Sequence, residues 1–232
     1  MQRIVIAAPL VLLGLVFTSL ALNYAEPQSL RPLAESYVKL VPQELGAPNV
    51  ITGILLTFRA FDTLGEVAVL FMVAASVGLV LGPAGSRSGV PPAEGREQPR
   101  PASDIVRSAT QILVPLISIF AAYIIMNGHI SAGGGFQGGA VIASGVLLLL
   151  LAHPEQRLDL QFLSITESLA GVLFVLVGVA GLFVAGGFLD NRVLPLGQFG
   201  AFFSAGAIPL LSVLLGIKVG CELSVILDRF RP

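Results

Sequence analysis

Ionisable side chains, and the side chains that bind metals or form disulfides, are both scarce in this chain of 232 residues. Charged residues make up 12% of it, against roughly 25% in ordinary soluble domains. With a mean hydropathy of +0.89, this composition excludes a water-soluble globule. One cysteine and two histidines are too few for a disulfide framework, a zinc site or a bis-histidine haem site. We therefore expect no catalytic residue, metal or cofactor here, so any redox centre would belong to another chain.

Charge of one sign is not in excess either. Thirteen lysines and arginines against fourteen aspartates and glutamates leave a formal net charge of -1. This balance excludes nucleic acid as an expected partner.

Long apolar runs are what the sequence does contain. A helix crosses a bilayer with about 20 mainly apolar residues. Six stretches qualify, at about 4–22, 61–82, 108–127, 136–152, 165–188 and 208–227. Residues 23–26 lack a small-x-small cleavage pattern, so we interpret the first run as a retained helix rather than a signal peptide. The sequence therefore predicts an all-α, polytopic protein of the inner (cytoplasmic) cell membrane.

Positive residues predict the orientation of these helices. With the N-terminus in the cytoplasm, eight lysines and arginines fall in inner segments and four in outer ones. The thirteenth, Lys218, lies within a span. Since flanking cations resist translocation, we expect both termini to be cytoplasmic.

A segment rich in proline, glycine and charge, residues 82–103, divides the chain. A segment of this composition cannot bury enough apolar surface to form ordered structure. We predict a two-helix part at 1–82, a flexible cytoplasmic linker at 83–103 and a four-helix part at 104–232.

The last apolar run carries two ionisable residues, Lys218 and Glu222, one helical turn apart. If the helix covers 208–227, Lys218 lies near mid-bilayer, where a lysine costs at least roughly 2.5–3.5 kcal/mol unless it faces protein or water. A carboxylate at i+4 relieves part of that cost, and the pair is then a candidate proton relay. If the helix instead runs from near Gly197 to Ile217, Lys218 is an ordinary flanking charge. The residues alone leave both readings open.

A second charged cluster opens the second span. Arg59, Asp62 and Glu66 are spaced by three and then four, so they share one helix face. Asp62 is equally suited to cap the helix. Glu66 lies a full turn inside the apolar run, where a carboxylate indicates a functional site. All three are candidate ion-pathway residues.

Glu167 comes two residues into the predicted fifth span. It is a further candidate for the ion pathway, although a carboxylate in a first helical turn is also a common partner of the helix dipole.

A glycine-rich segment, residues 127–139, joins the third and fourth spans. It lacks the lysine and hydroxyl of a phosphate-binding loop. Its glycines permit close helix packing, the commoner role. The alternative places His129 at the mouth of an aqueous path, where a pKa near 6.5 suits proton exchange. The candidate loop residues are Gly128, Gly133, Gly134, Gly135, Phe136, Gly138 and Gly139.

Three motifs of the rear part together resemble the B subunit of Mrp-type multisubunit cation/proton antiporters, which corresponds to the F subunit of membrane-bound hydrogenases. They are Gly128-His129 with Gly133-Gly134-Gly135-Phe136, then Ile208-Pro209-Leu210-Leu211, and last the stretch from Gly216 to Leu223. Ile130 and Ala132 replace the asparagine and proline usual in that family's loop. The front part, through residues 58–66, is similar to the hydrogenases' small E subunit.

The resemblance implies a subunit without redox centres in a large membrane complex, beside antiporter subunits like those of respiratory complex I. It favours the reading that places Lys218 at mid-bilayer. It implies that Lys218, Glu222 and Glu66 line a Na⁺ or H⁺ route. A purely structural scaffold in such a complex, including one driven by a hydrogenase, is the alternative.

Overall fold

The computed structural model describes residues 2–25, 28–81 and 102–230. Within these ranges all regular secondary structure is helical, apart from one isolated bridge between Gly197 and Ser204. The predicted all-α fold is therefore confirmed. The predicted linker, residues 83–103, lies outside the described residues except for its last two positions.

The described residues form eight α-helices. In chain order they are α1 (Gln2–Asn23), α2 (Pro32–Leu40), α3 (Val50–Gly53), α4 (Ala60–Leu81), α5 (Asp104–Met126), α6 (Gly135–Ala152), α7 (Leu160–Val184) and α8 (Ile208–Arg229). π-helical turns follow α2 and α3, at Val41–Leu45 and Ile54–Phe58, and a 3₁₀ turn covers Asn191–Val193.

Five helices of the described ranges, α4 to α8, are long and apolar enough to cross a membrane. The chain is a multi-pass membrane protein, as its composition predicts. Helix α1 is not among these five. A crossing by α1, and with it the sixth span, stays a prediction.

The chain divides into two compact units, residues 1–36 and residues 37–232. The first unit contains α1 and the beginning of α2. At the end of α1, the Asn23 side chain donates from Nδ2 to the carbonyl of Ser19 at 2.8 Å.

In the second unit, α8 is the central helix and packs against α4, α5, α6 and α7. Twelve of its 22 residues are buried. Proline stands in its first turn, where a missing N–H costs nothing. Its apolar residues Leu211, Leu215 and Val219 form a core with Val67 of α4 and Phe174 of α7.

Glycines bring α6 close to α8. A Cβ added at Gly139 would lie 2.8 Å from both the carbonyl oxygen of Gly216 and the Cβ of Val219, closer than real Cβ atoms approach. This spacing is the close backbone approach that small residues permit between membrane helices.

Side-chain caps fix the start of two helices. Ser103 accepts from the amide of Val106 at the start of α5, and Asp159 accepts from the amide of Phe162 at the start of α7. The cap at Asp159 begins α7 five residues before the predicted 165. Glu167 therefore lies seven residues after Leu160, and the first-turn reading of Glu167 is wrong.

The segment between α7 and α8 is mostly irregular. Gly197, Gly200, Ala205 and Gly206 all have left-handed backbone conformations, with φ between 59° and 78°. A helix cannot pass through such residues, since its φ is near -63°. The reading in which the last helix starts near Gly197 is therefore wrong.

Candidate functional site

Lys218 is the eleventh of the 22 residues of α8, so its side chain starts at the middle of the helix. Its Nζ donates to Oε2 of Glu222 at 2.9 Å, an ion pair between residues one turn apart. Glu222 is 0% exposed, and its second oxygen, Oε1, has no hydrogen-bond partner among the described residues. A buried ion pair is retained at a desolvation cost, which points to a role beyond stability.

Glu167 of α7 belongs to the same group of charges. It is 6% exposed, is repelled by Glu222 and is attracted by Lys218. We call Glu167, Lys218 and Glu222 the mid-membrane cluster. Sequence reasoning missed this grouping because it placed Glu167 at the membrane boundary, whereas the earlier start of α7 places it about two turns into the helix.

A cavity of about 430 Å³ opens beside the mid-membrane cluster, between α4, α7 and α8. Glu167 and Lys218 line it together with Ser168 and with apolar side chains of α4, among them Phe71. The Nζ of Lys218 lies 5.8 Å from the centroid of the Phe71 ring, within the range of a cation–π interaction. Phe71 is a contact that no sequence motif indicated.

The other predicted charged group lies at the beginning of α4. Arg59 and Asp62 form an ion pair, with side chains 60% and 46% exposed. A pair so exposed contributes little stability. Asp62 lies in the first turn of α4, while Thr63 donates from Oγ1 to the carbonyl of Leu55 at 2.8 Å.

Glu66 lines a different cavity, of about 290 Å³, which we call the outer cavity because the predicted orientation would place it on the outer side. Thr52, Thr63, Phe136 and Gln137 also line it, as do Gly133, Gly134 and Gly135. The structure thus brings Glu66 to the glycine loop, and Lys218 lines a separate cavity with Glu167.

His129, in the glycine loop, is 0% exposed. Its Nε2 lies 3.4 Å from the carbonyl oxygen of Ala201, which makes Nε2 the donor, and Nδ1 has no partner among the described residues. Burial lowers the pKa of His129 from its usual value near 6.5, against the opposing effect of backbone carbonyls. The imidazole is therefore held neutral. Its role in an ion pathway stays a prediction.

Two residues that the sequence did not single out, Asn49 and Thr52, hold the glycine loop. Asn49 caps α3 by accepting from the amides of Ile51 and Thr52, and its Nδ2 donates to the carbonyls of Gly128 and Ser131 at 2.8 and 2.7 Å. The Thr52 hydroxyl donates to the carbonyl of Gly128 at 2.8 Å. The sequence Asn-Val-Ile-Thr at 49–52 could have indicated a helix cap at Asn49. Nothing in it indicates that the side chains of Asn49 and Thr52 bind the glycine loop.

Asp190 and Arg192 form a further ion pair, at 2.6 Å, in the segment between α7 and α8. The hydrogen bonds from the Arg192 side chain lower the pKa of the Asp190 carboxyl, against the effect of burial. Next to this pair, the buried Asn191 side chain donates to the carbonyls of Leu45 and Ala205 at 3.0 Å each. These bonds fasten the segment at the start of α8.

Two family models match the sequence. Residues 105–225 match the domain related to the MnhB subunit of Na⁺/H⁺ antiporters, and residues 2–88 match the MbhE family, the E subunit of MBH. The resemblance stated from the motifs is therefore confirmed.

Individual relatives agree with these models. The chain is 30% identical over 199 residues to an uncharacterized protein of Methanocaldococcus jannaschii, covering 76% of this chain and 74% of that protein. It is 30% identical over 210 residues to a probable A/B subunit of a K⁺/H⁺ antiporter of Rhizobium meliloti, covering 80% of this chain and 20% of the relative. It is 37% identical over 81 residues to the B subunit of a Na⁺/H⁺ antiporter of Bacillus subtilis, covering 35% of this chain and 51% of the relative.

Two solved structures have the same fold. A chain of the membrane-bound sulfane sulfur reductase, an archaeal respiratory membrane complex, aligns with a TM-score of 0.78 at 30% identity, covering 99% of this chain and 98% of that one. A chain of the Mrp complex from Dietzia sp. aligns with a TM-score of 0.75 at 24% identity, covering 99% of this chain and 26% of that one.

Proposed function

Because this chain belongs to the family of domains related to the MnhB subunit of Na⁺/H⁺ antiporters, we propose that it is a non-catalytic membrane subunit of a multisubunit cation/proton antiporter module. In this role it supplies polar side chains to a cation or proton route that it shares with neighbouring subunits.

The observation that carries this proposal is the Lys218–Glu222 ion pair at the middle of α8. Ionisable residues within membrane spans are rare and mark ion pathways and proton relays. Lys218 donates to Glu222 at 2.9 Å, and a proton would need only small movements to cross that distance. Glu66, which lines the outer cavity, would serve the outer end of the route, with the Arg59–Asp62 ion pair about one turn before it.

Partners follow from the relatives. The antiporter relatives and a respiratory membrane complex support assembly with other antiporter-type subunits. That these include subunits like those of complex I stays a prediction from the resemblance. The A/B relative aligns with 80% of this chain, which supports an E-like part fused in front of a B-like part. Whether a redox arm drives the complex depends on the other chains.

With the N-terminus in the cytoplasm, inner segments hold eight lysines and arginines and outer segments four, which supports both termini in the cytoplasm. A reporter enzyme that is active only in the cytoplasm, fused after residue 232, is expected to be active. An inactive reporter on a correctly assembled complex would show that the C-terminus lies outside the cytoplasm.

The test separates ion conduction from assembly. Replacing a buried ion pair by apolar residues of similar volume is often neutral for stability, whereas removing one partner costs roughly 3–5 kcal/mol. The double variant Lys218→Met/Glu222→Leu, expressed with the whole complex, is therefore expected to assemble at wild-type yield. We expect its cation/proton exchange in vesicles to fall at least about tenfold.

The single variant Lys218→Met is the matched control, because it leaves the Glu222 carboxylate buried without its cation. It should lower the yield of the complex. A double variant that assembles and exchanges ions at the wild-type rate would show that the pair only holds helices in place, and would refute the proposed function.

A further inference from the structure

We propose that the mid-membrane cluster is a binding site for one monovalent cation, which a proton and an alkali cation occupy in turn at Glu167. This inference rests on the proposed function, and it adds the site and the one-for-one exchange at that site. The argument depends on charge balance, on an unsatisfied oxygen and on the absence of another neutralising group in the described surroundings.

Charge balance is the first step. With all three side chains ionised, one ammonium and two carboxylates leave the mid-membrane cluster at net -1. Lys218 already donates to Glu222 at 2.9 Å, so Glu167 is the carboxylate whose charge is left over. An uncompensated ion in a low-dielectric interior costs several kcal/mol. One additional positive charge, but not two, makes the cluster neutral.

The second step is a place for that charge. Oε1 of the fully buried Glu222 has no hydrogen-bond partner among the described residues. Glu167, Ser168 and Lys218 line a common cavity of about 430 Å³; Glu222 is not in that lining and is linked to it through its bond with Lys218. An unpartnered carboxylate oxygen is costly to bury and is a normal ligand for both a proton and a hard cation.

The third step concerns the surroundings. From α4, the cavity is lined by Leu64, Val67, Ala68 and Phe71, none of them ionisable. The sequence of α6, which packs on α8, contains no ionisable side chain. Cys221 of α8, which interacts with Glu167 and Lys218, bears a thiol and not a cation.

On α8 the next cation after Lys218 is Arg229, eleven residues later, and on α5, which also packs against α8, the cation is Arg107 in the first turn. The Arg229 guanidinium lies against Gly78 of α4, where an added Cβ would come within 2.8 Å of Nη1. On the opposite side, Glu66 adds a negative charge and lines the separate outer cavity. Among the described residues no further cation lines this cavity, which leaves a mobile cation to balance the charge of Glu167.

Competition follows from these steps. Because a second positive charge would take the cluster to +1, an alkali cation can bind only where a proton leaves. Binding of one Na⁺ is then accompanied by release of one proton from the Glu167 carboxyl, and the reverse exchange restores it. No bond other than the O–H of the carboxyl forms or breaks.

The test counts protons. The purified whole complex, in weakly buffered detergent solution, receives a saturating amount of NaCl, and a pH indicator records the protons released per complex. Choline chloride controls for ionic strength. We expect Glu167→Gln to release one proton fewer than wild type. Glu155→Gln, which removes an exposed carboxylate of the loop after α6, should release the wild-type number.

Cys221, the single cysteine of this chain, gives a second measurement. Its thiol is half-buried beside the mid-membrane cluster, so bound Na⁺ should slow its alkylation by N-ethylmaleimide, followed by mass spectrometry. Protection should need about tenfold more Na⁺ for each unit by which pH falls, and should vanish in Glu167→Gln.

If the Glu167→Gln variant releases as many protons as the wild type, and Na⁺ still protects its Cys221 from alkylation, this inference is overturned. If exchange is nevertheless lost in Lys218→Met/Glu222→Leu, the proposed function stands and only the site at Glu167 is wrong. If that double variant exchanges normally, the proposed function itself fails.

Discussion

At the scale of single residues, His129 has an environment that makes a pH-dependent prediction. It is fully buried, and burial lowers its pKa. The unfolded state takes up a proton as pH falls below about 6.5, while the folded state keeps His129 neutral. The stability that this preference contributes is therefore present above pH 6.5 and is lost as pH falls below it.

Replacing His129 by Gln removes this titration. We expect the melting temperature of the purified complex to fall less between pH 7.5 and pH 5.5 in His129→Gln than in wild type. His153→Gln, at the end of α6, controls for loss of an imidazole outside the glycine loop. Equal losses in His129→Gln and wild type would contradict the prediction.

Residue spacing predicted the Lys218–Glu222 pair, because i,i+4 residues on one helix meet whatever surrounds them. The third member of the cluster could not be predicted in that way. Whether Glu167 reaches Lys218 depends on where α7 begins and on how it is rotated against α8, and packing of two helices decides both. The contact of Phe71 with Lys218, which joins α4 to α8, has the same origin.

At the scale of secondary-structure elements, the contact of α6 with α8 depends on glycine. A methyl group at Gly139 would come within 2.8 Å of the Gly216 backbone, and overpacking of this kind costs typically 1–3 kcal/mol. Gly139→Ala is therefore expected to lower the melting temperature of the complex. Gly65→Ala in α4 is the matched control, since beyond its chain neighbours and the nearby backbone of α4 nothing described lies within 4 Å of its added Cβ.

That control should be neutral or slightly stabilising, because alanine is a better helix former than glycine by roughly 0.5–1 kcal/mol. If Gly139→Ala is as stable as Gly65→Ala, α6 and α8 are less tightly packed than the structure shows.

Asn49 provides a second prediction at this scale, because it joins the cap of α3 to the glycine loop. Its side chain accepts from two amides and donates to two carbonyls of the loop. At about 1 kcal/mol for each net hydrogen bond, Asn49→Ala should cost roughly 2–4 kcal/mol. Hydrogen exchange of residues 128–134, measured by mass spectrometry on the complex, is expected to become faster.

Asn127→Ala is the matched control, since the half-buried Asn127 side chain makes one hydrogen bond among the described residues, a 3.3 Å donation to the carbonyl of Tyr123. It should leave the exchange of the loop almost unchanged. Equal effects of the two variants would show that Asn49 does not hold the loop.

Apolar runs predicted the central helices of this fold to within a few residues, because the bilayer sets their length. Helix α7 (Leu160–Val184) begins and ends before its predicted bounds of 165 and 188, since Asp159 caps the helix before the apolar run begins. Docking of the glycine loop on Asn49 joins residues 79 positions apart, and no local pattern encodes such a contact.

At the scale of the whole molecule, the proposed division into a front part and a rear part leads to the last prediction. Helix α4 packs along α8: Val67 lies in the core with Leu215, and Phe71 lies over Lys218. Asn49 and Thr52 bind the glycine loop of the rear part as well. These contacts do not depend on the segment that connects α4 to α5, whose covalent link only raises the effective concentration of the two parts.

We therefore expect residues 1–88 and 102–232, expressed as two polypeptides with the other subunits, to co-purify and to exchange cations for protons like the intact chain. An affinity tag on the first polypeptide should recover the second in equal amount. Val67→Asp in the first polypeptide, which places a charge in the shared core, should abolish recovery. If the unaltered fragments do not associate, the connecting segment carries part of the interface, and the chain is a single structural unit rather than a fusion of two.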